Sequence, residues 1–154
     1  MSTQGGDKLS LRPVSAGVAD ALVLLPLHDA QRIFIASNAD SLALAREHPN
    51  MRPRAIFLGD ALVGFALHAE SGSAGRRGTH VLYRLMIAAP WQGQGHGRTA
   101  LKLLLDEMGA LGAARVALYY APANVAARAL YAAAGFVEQG LDEDGEMMAA
   151  LVLA

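Results

Sequence analysis

The stretch Leu85-Met-Ile-Ala-Ala-Pro-Trp-Gln-Gly-Gln-Gly-His-Gly-Arg98 joins the end of a strand to the start of a helix through a glycine-rich turn. The strand candidate runs from Thr79 to Ala88 and stops before Pro90. A helical pattern follows from about Gly95 to Leu111, with Gly112 placed to end it. Between the two, Gly93, Gly95 and Gly97 alternate with Gln94 and His96. Glycine adopts left-handed backbone without cost and brings no side chain. Successive amide N–H groups can therefore converge at the positive end of the helix, a geometry suited to a phosphate or diphosphate.

Three phosphate-loop patterns compete for this turn. Gly97-Arg98-Thr99 resembles the end of a P-loop, but the earlier glycine that motif needs falls on Gln92, and its lysine is Arg98. The dinucleotide fingerprint G-x-G-x-x-G fails at Arg98. The third pattern, Q/R-x-x-G-x-G/A, is satisfied by Gln92-Gly93-Gln94-Gly95-His96-Gly97. Taken alone, this could be a turn that merely connects two elements. A second segment, Asn124-Val-Ala-Ala-Arg-Ala-Leu-Tyr131-Ala-Ala-Ala-Gly135-Phe136, lies one helix and one strand downstream. Pro122 and Asn124 supply a helix start and Gly135 its stop. Asn124 and Tyr131 are about two helical turns apart and project from one face.

Working outward, periodicity alternates between the two structural types. Leu9 to Val14 suggests a strand and Ser15 to Leu25 a helix with Ser15 as N-cap. Asp40 to Glu47 is a second helix, stopped by Pro49. Ala55–Leu58 and Leu62–Leu67 are strands joined at Gly59-Asp60, a hairpin turn signal. The segment 71–78, SGSAGRRG, is a flexible turn. Arg115–Tyr120, the start at Gly135-Phe136-Val137, and Glu146–Leu153 complete the strands. No repeat and no long linker appears, so the expectation is one α+β domain over residues 1–154, with residues 1–7 as a flexible tail.

Composition agrees with such a domain. The chain has 154 residues, 53% hydrophobic and 18% charged, which excludes wholesale disorder. A net charge of -1 lacks the broad basic field of a general nucleic-acid binder. The absence of cysteine excludes disulfides, thiolate metal sites and a cysteine nucleophile. Residues 1–8 lack a secretory signal, and the apolar run Ala21–Leu27 is broken by Pro26, far short of the about 20 residues that span a membrane. A cytoplasmic protein with no nucleic-acid or membrane partner and no metal is expected.

The two motifs, in order and at this spacing, resemble the signatures of the GNAT superfamily of acyl-CoA-dependent N-acyltransferases. The match falls on Gln92, Gly95 and Gly97, then on Asn124, Ala127, Leu130, Tyr131, Gly135 and Phe136. The resemblance is close from Val81 to Leu153 and looser before it. It implies a GNAT fold: a twisted, mostly antiparallel sheet flanked by helices and splayed between Leu85–Ile87 and Arg115–Tyr120. It further implies acetyl-CoA in the splay, its pantetheine arm on backbone groups of Leu85, Met86 and Ile87. The diphosphate would lie on the turn, Gln92, Gly93, Gln94, Gly95, His96, Gly97 and Arg98. Asn124 would touch the cofactor, and the Tyr131 phenol would sit near its sulfur as general acid, with a backbone amide near Ile87 as oxyanion donor. Related enzymes are often homodimers.

The base and the acceptor are less determined. Some polyamine-acetylating relatives carry a glutamate where this chain has Tyr83, which leaves His68, His80, a water chain or a distant carboxylate as options. Asp29–Ala45, Val63–Ala66, Tyr83–Ile87 and Asp144–Glu146 resemble bacterial diamine and spermidine/spermine N-acetyltransferases, and imply a polyamine or diamine acceptor. A polycation needs spaced carboxylates; the candidates are Asp29, Asp40, Glu47, Asp142, Glu143, Asp144 and Glu146. Other small amines, amino sugars and peptide amino groups remain open, as does a non-catalytic acyl-CoA-binding module.

Overall fold

Seven strands, in the order β1-β2-β3-β4-β5-β7-β6, form a single sheet in the computed structural model, which describes residues 8–26, 38–70 and 78–153. The strands are β1 (Leu9–Pro13), β2 (Met51–Leu58), β3 (Ala61–Glu70), β4 (Thr79–Ile87), β5 (Arg115–Tyr120), β6 (Val137–Leu141) and β7 (Met147–Val152). Among the described residues, four helices flank them: α1 (Ala16–Val23), α2 (Asn38–Glu47), α3 (His96–Ala110) and α4 (Val125–Ala133). Every neighbouring pair is antiparallel except β4 with β5. This is the expected α+β architecture. The expected tail 1–7, the substrate candidate Asp29 and most of the 71–78 turn lie outside the described residues.

Local chemistry explains where most elements begin and end. Ser15 caps α1 by accepting from the Val18 amide at 3.4 Å. Gly59, at φ 60°, turns β2 into β3. Gly112, at φ 99°, ends α3. Strand β2 starts earlier than its apolar run suggests, because Met51 to Arg54 already pair with β3. Pro53 is tolerated there since β1 ends opposite Arg54 and leaves that edge uncovered.

The helices pack on opposite faces. Helix α3 buries Ala100, Leu101, Leu104 and Met108, a helical stripe, against Val116, Leu118 and Ile56. Leu22 of α1 and Leu42 of α2 pack on Phe65, Leu67 and Met86 on the other side. Three side chains add a polar tie beneath α3. Glu107 accepts from Arg54 Nε at 3.0 Å and meets Nε2 of His68, which is fully buried on β3.

This tie makes stability pH-dependent. Burial lowers the His68 pKa more than Glu107 raises it. Burial also works to raise the Glu107 pKa, but hydrogen bonds from His68 and Arg54 outweigh it and hold the carboxyl below its usual range. For both groups the unfolded chain binds more protons, so stability is complete above the free histidine pKa of about 6.5 and is lost as pH falls toward the depressed folded values. Glu107→Gln should cost about 1–3 kcal/mol at pH 7 and, because Glu107 is the group that raises the His68 pKa, should carry the fall of Tm on acidification below pH 6.5 to lower pH, measured by thermal denaturation across pH. An unchanged Tm would remove this network from the stability of the fold.

The sheet opens where β4 leaves β5. The two strands pair only from Thr79–Arg115 to Leu82–Leu118. Beyond that, β4 follows β3 as far as Ile87 opposite Gly64, and β5 follows β7 to Tyr120 opposite Met147. The cause lies in a bulge: Leu82 pairs with His68 and Arg84 with Leu67, so Tyr83 is an extra residue. Bulges sharpen the local twist and swing the strand away from its neighbour. A Cβ on Gly64 would overlap the Met86 carbonyl, so only glycine lets β3 stay close to β4 at this point.

Candidate active site

Two adjoining cavities occupy the opening. The first, about 240 Å³, runs from β4 along the glycine turn to α4. Leu85, Met86, Ile87, Gln92, Gly93, Gly95, His96, Gly97, Asn124 and Tyr131 all line it. Of the residues expected to hold the cofactor, only Gln94 and Arg98 fall outside the wall; both are exposed, and Gln94 donates instead to the Pro90 carbonyl at 3.3 Å. The second cavity, about 380 Å³, lies beside the end of β5 and the turn between β6 and β7 and includes Tyr83, Arg84, Tyr119, Tyr120, Asp142 and Glu146. Leu85, Asn124, Ala127 and Tyr131 border both.

The glycine turn is shaped for an anion. A short 3-10 turn, Ala89–Trp91, leads into it, and Trp91 packs against the core beneath. Gln92 Nε2 donates to the Ile87 carbonyl at 2.7 Å, which fastens the turn to the end of β4. Gly93 at φ 75° and Gly95 at φ 84° are left-handed, and Gly95 caps α3 without a side chain. A Cβ on either would meet no heavy atom within 4 Å. Their requirement for glycine is conformational and not steric crowding. Gly97 differs: its φ is not positive, and a Cβ there would touch Leu130 at 3.8 Å. The first intrahelical bond of α3 is Thr99 N to Gly95 O, so the preceding amides from Gly93 to Arg98 have no acceptor among the described residues. His96 adds a buried, unpartnered Nε2 on the same wall.

Asn124 is both cap and lining residue. Its Oδ1 accepts from the Ala127 amide at 3.2 Å, which starts α4. Tyr131 is 8% exposed, with ring centroids 5.7 Å from Tyr120 and 5.8 Å from Phe136. Burial, helped by Tyr120, pushes its phenol pKa up to about 12. Tyr120 donates to Glu138 at 2.6 Å, and Arg128 bonds the other carboxylate oxygen at 2.9 Å.

The remaining sequence candidates separate. His68 and His80 are buried with ring centroids 6.1 Å apart, and neither lines either of these two cavities. His68 is held by Glu107, so a base role for it has no geometric support. Tyr83, in the position where some relatives have glutamate, is half exposed on the second cavity. Asp142 and Glu146 line that cavity; Glu47, Glu143 and Asp144 do not. Asp142 Oδ1 is also engaged by the amides of Asp144 and Glu146 at 2.9 and 2.8 Å, which close the turn between β6 and β7. Arg84, which the sequence presents only as one more strand residue, is buried in the cavity wall. Among the described residues no group of three or more metal-ligating side chains stands together, and no helix is long and apolar enough to cross a membrane.

Comparison with known proteins agrees with this geometry. The model of the acetyltransferase (GNAT) family matches residues 23–136, so the chain belongs to that family. It is an N-acetyltransferase that draws on acetyl-CoA. A search of curated proteins found no match. Among solved structures, the spermidine N-acetyltransferase of Vibrio cholerae, in complex with CoA and spermine, superposes with a TM-score of 0.76 at 22% identity, covering 94% of this chain and 95% of that one. The ribosomal-protein-S18-alanine N-acetyltransferase of Escherichia coli gives 0.72 at 19% identity, with 96% and 95% covered. An aminoglycoside acetyltransferase in complex with coenzyme A gives 0.78 at 19% identity, with 95% of each chain covered. The fold is common to all three, while their named acceptors differ.

Proposed function

We propose that this chain moves an acetyl group from acetyl-CoA to the primary amine of a small molecule, with the first cavity holding the donor, the second the acceptor, and Tyr131 acting as general acid. The observation that carries this reading is that the two cavities meet at Tyr131. The donor diphosphate lies on the amides of Gly93 to Arg98, with the pantetheine along Leu85, Met86 and Ile87 and the Asn124 side chain beside it. Gln92 contributes by holding the turn against β4.

The thioester supplies an activated acetyl carbon. The neutral amine adds to that carbonyl, and charge builds on its oxygen. Beyond Leu82 the β4 backbone has no partner strand on its β5 side, so an amide near Ile87 serves as oxyanion donor. The carbon–sulfur bond then breaks. Tyr131, protonated at neutral pH, gives its proton to the departing sulfur and is reprotonated by the proton the amine nitrogen loses. The products are the N-acetyl amine and free CoA thiol, with no covalent enzyme intermediate.

A diamine or polyamine acceptor draws its support from Asp142 and Glu146 on the cavity wall. A second ammonium needs a second acidic site, and the other described acidic candidates do not line the cavity. The test is thiol release from acetyl-CoA with a panel of amines. The expected result is turnover on at least one class of primary amine. If spermidine is acetylated faster than singly charged amines, the polyamine reading stands; the opposite order removes it. CoA binding with no turnover on any amine would overturn the proposed role of the second cavity.

A further inference from the structure

Arg84 is the one arginine or lysine buried among the described residues, at 5% exposure, and it sits in the wall of the acceptor cavity. It follows directly on the Tyr83 bulge. One edge of its guanidinium is fixed: Nε donates to Asn38 Oδ1 at 3.0 Å, and Asn38 Nδ2 donates in turn to the Leu22 carbonyl at 2.8 Å. That chain anchors β4 to the start of α2 and the end of α1. Nη2 is fully buried and has no hydrogen-bond partner among the described residues.

A desolvated, unbonded guanidinium nitrogen is unfavourable in a folded protein and asks for an anionic acceptor. Burial lowers the Arg84 pKa to about 10, with Asp40 acting through space in the opposite direction, so the group stays cationic at neutral pH. Across the same cavity, Asp142 and Glu146 supply negative charge. The wall therefore carries both signs.

We infer that the acceptor is a small amino carboxylate, its carboxylate held by Arg84 and its amine directed toward Tyr131, with Asp142 and Glu146 attracting the ammonium form before it loses its proton. This rests on the reading of the second cavity as the acceptor site. Guanidinium matches carboxylate in shape and charge better than any other side chain does. Arg84 acts here as a specificity residue, because it selects the acceptor without touching the thioester.

The experiment compares matched acceptors with acetyl-CoA as donor: α-amino acids, β-alanine and 4-aminobutanoate, then their carboxamides, then the corresponding amines without a carboxyl group. The wild-type protein should favour the carboxylates by at least about tenfold in kcat/KM. Arg84→Gln should lower kcat/KM about 10²-fold on the preferred amino carboxylate, mainly through KM, with less than about threefold effect on its carboxamide. Arg84→Lys keeps the charge and should fall between. Arg84 does not line the donor cavity, so an unchanged thermal shift with CoA verifies folding of each variant.

A wild-type preference for carboxamides or plain amines would overturn the inference. So would an equal loss on all acceptors in a folded Arg84→Gln, since a merely structural role would not move the ratio. Absence of turnover on all three series, with CoA still bound, would remove the acceptor-site reading itself and the inference with it.

Discussion

Tyr131→Phe is expected to lower kcat about 10²–10⁴-fold while leaving the affinity for CoA within a few-fold of wild type. The substitution removes only the phenol oxygen. The ring contacts with Tyr120 and Phe136 remain, so the aromatic cluster that packs α4 against the sheet stays intact. The lost rate belongs to the proton that the departing thiolate no longer receives. Steady-state thiol release and calorimetric titration of CoA separate the two effects. Wild-type turnover in Tyr131→Phe would require another proton donor, and a large loss of CoA affinity would make the residue a binding group instead.

The same residue sets an expectation for pH. Tyr131 stays protonated until pH approaches about 12, because burial and Tyr120 both disfavour the phenolate. The acid form is thus available across the accessible range, and no falling limb should appear below pH 10. The rising limb belongs to the acceptor amine, near 8 for an α-amino group and near 10 for an alkyl amine. A descending limb between pH 7 and 10 that disappears in Tyr131→Phe would contradict this assignment of the phenol pKa.

The second large effect is expected at Gly95. Gly95→Val should weaken CoA binding more than about 10²-fold, with no more than about 1–3 kcal/mol of fold stability lost. Gly95 sits at φ 84°, where a β-branched residue is strained by about 1–3 kcal/mol. A new side chain meets no protein atom within 4 Å, so it projects into the space the diphosphate would take on the unpaired amides. Local strain also tilts those amides away from their common focus. Gly97→Ala is the informative contrast: its backbone is ordinary and its Cβ makes normal contacts, so that variant should fold as wild type does. Calorimetry with CoA and thermal denaturation of each variant measure the two quantities. Full CoA affinity in Gly95→Val would take the turn out of the donor site.

Most of the proposed donor side was legible as local structure in the sequence, because its determinants are local. Alternating glycines imply left-handed turns, and Gly93 and Gly95 adopt them. Asn124 in front of an apolar run implies a capped helix, and it caps α4. Strand β5 falls on the residues expected of it, since its apolar run from Val116 to Tyr120 is uninterrupted. The strands β2 and β3 are longer than their apolar runs, because pairing extends through Arg52 and His68, whose polarity hides it. The acceptor side was much less legible. Asp142 and Glu146 come to the cavity and Glu143 and Asp144 do not, a division within five residues that composition cannot make.

Left to itself, the sequence determined the succession of elements, the left-handed glycine turn and the aromatic residue two helical turns from a capping asparagine. These follow from backbone preferences and side-chain periodicity within short segments. The tertiary structure alone decided what lines the second cavity. In a regular strand Leu82, Arg84 and Met86 would share one face. The extra residue at Tyr83 breaks that alternation: Leu82 packs with the α3 side, while Arg84 joins Asn38 and Met86 beside α2. The bulge exists only through pairing with β3, so no window of sequence around Arg84 reveals that its charge is buried in the wall of a cleft.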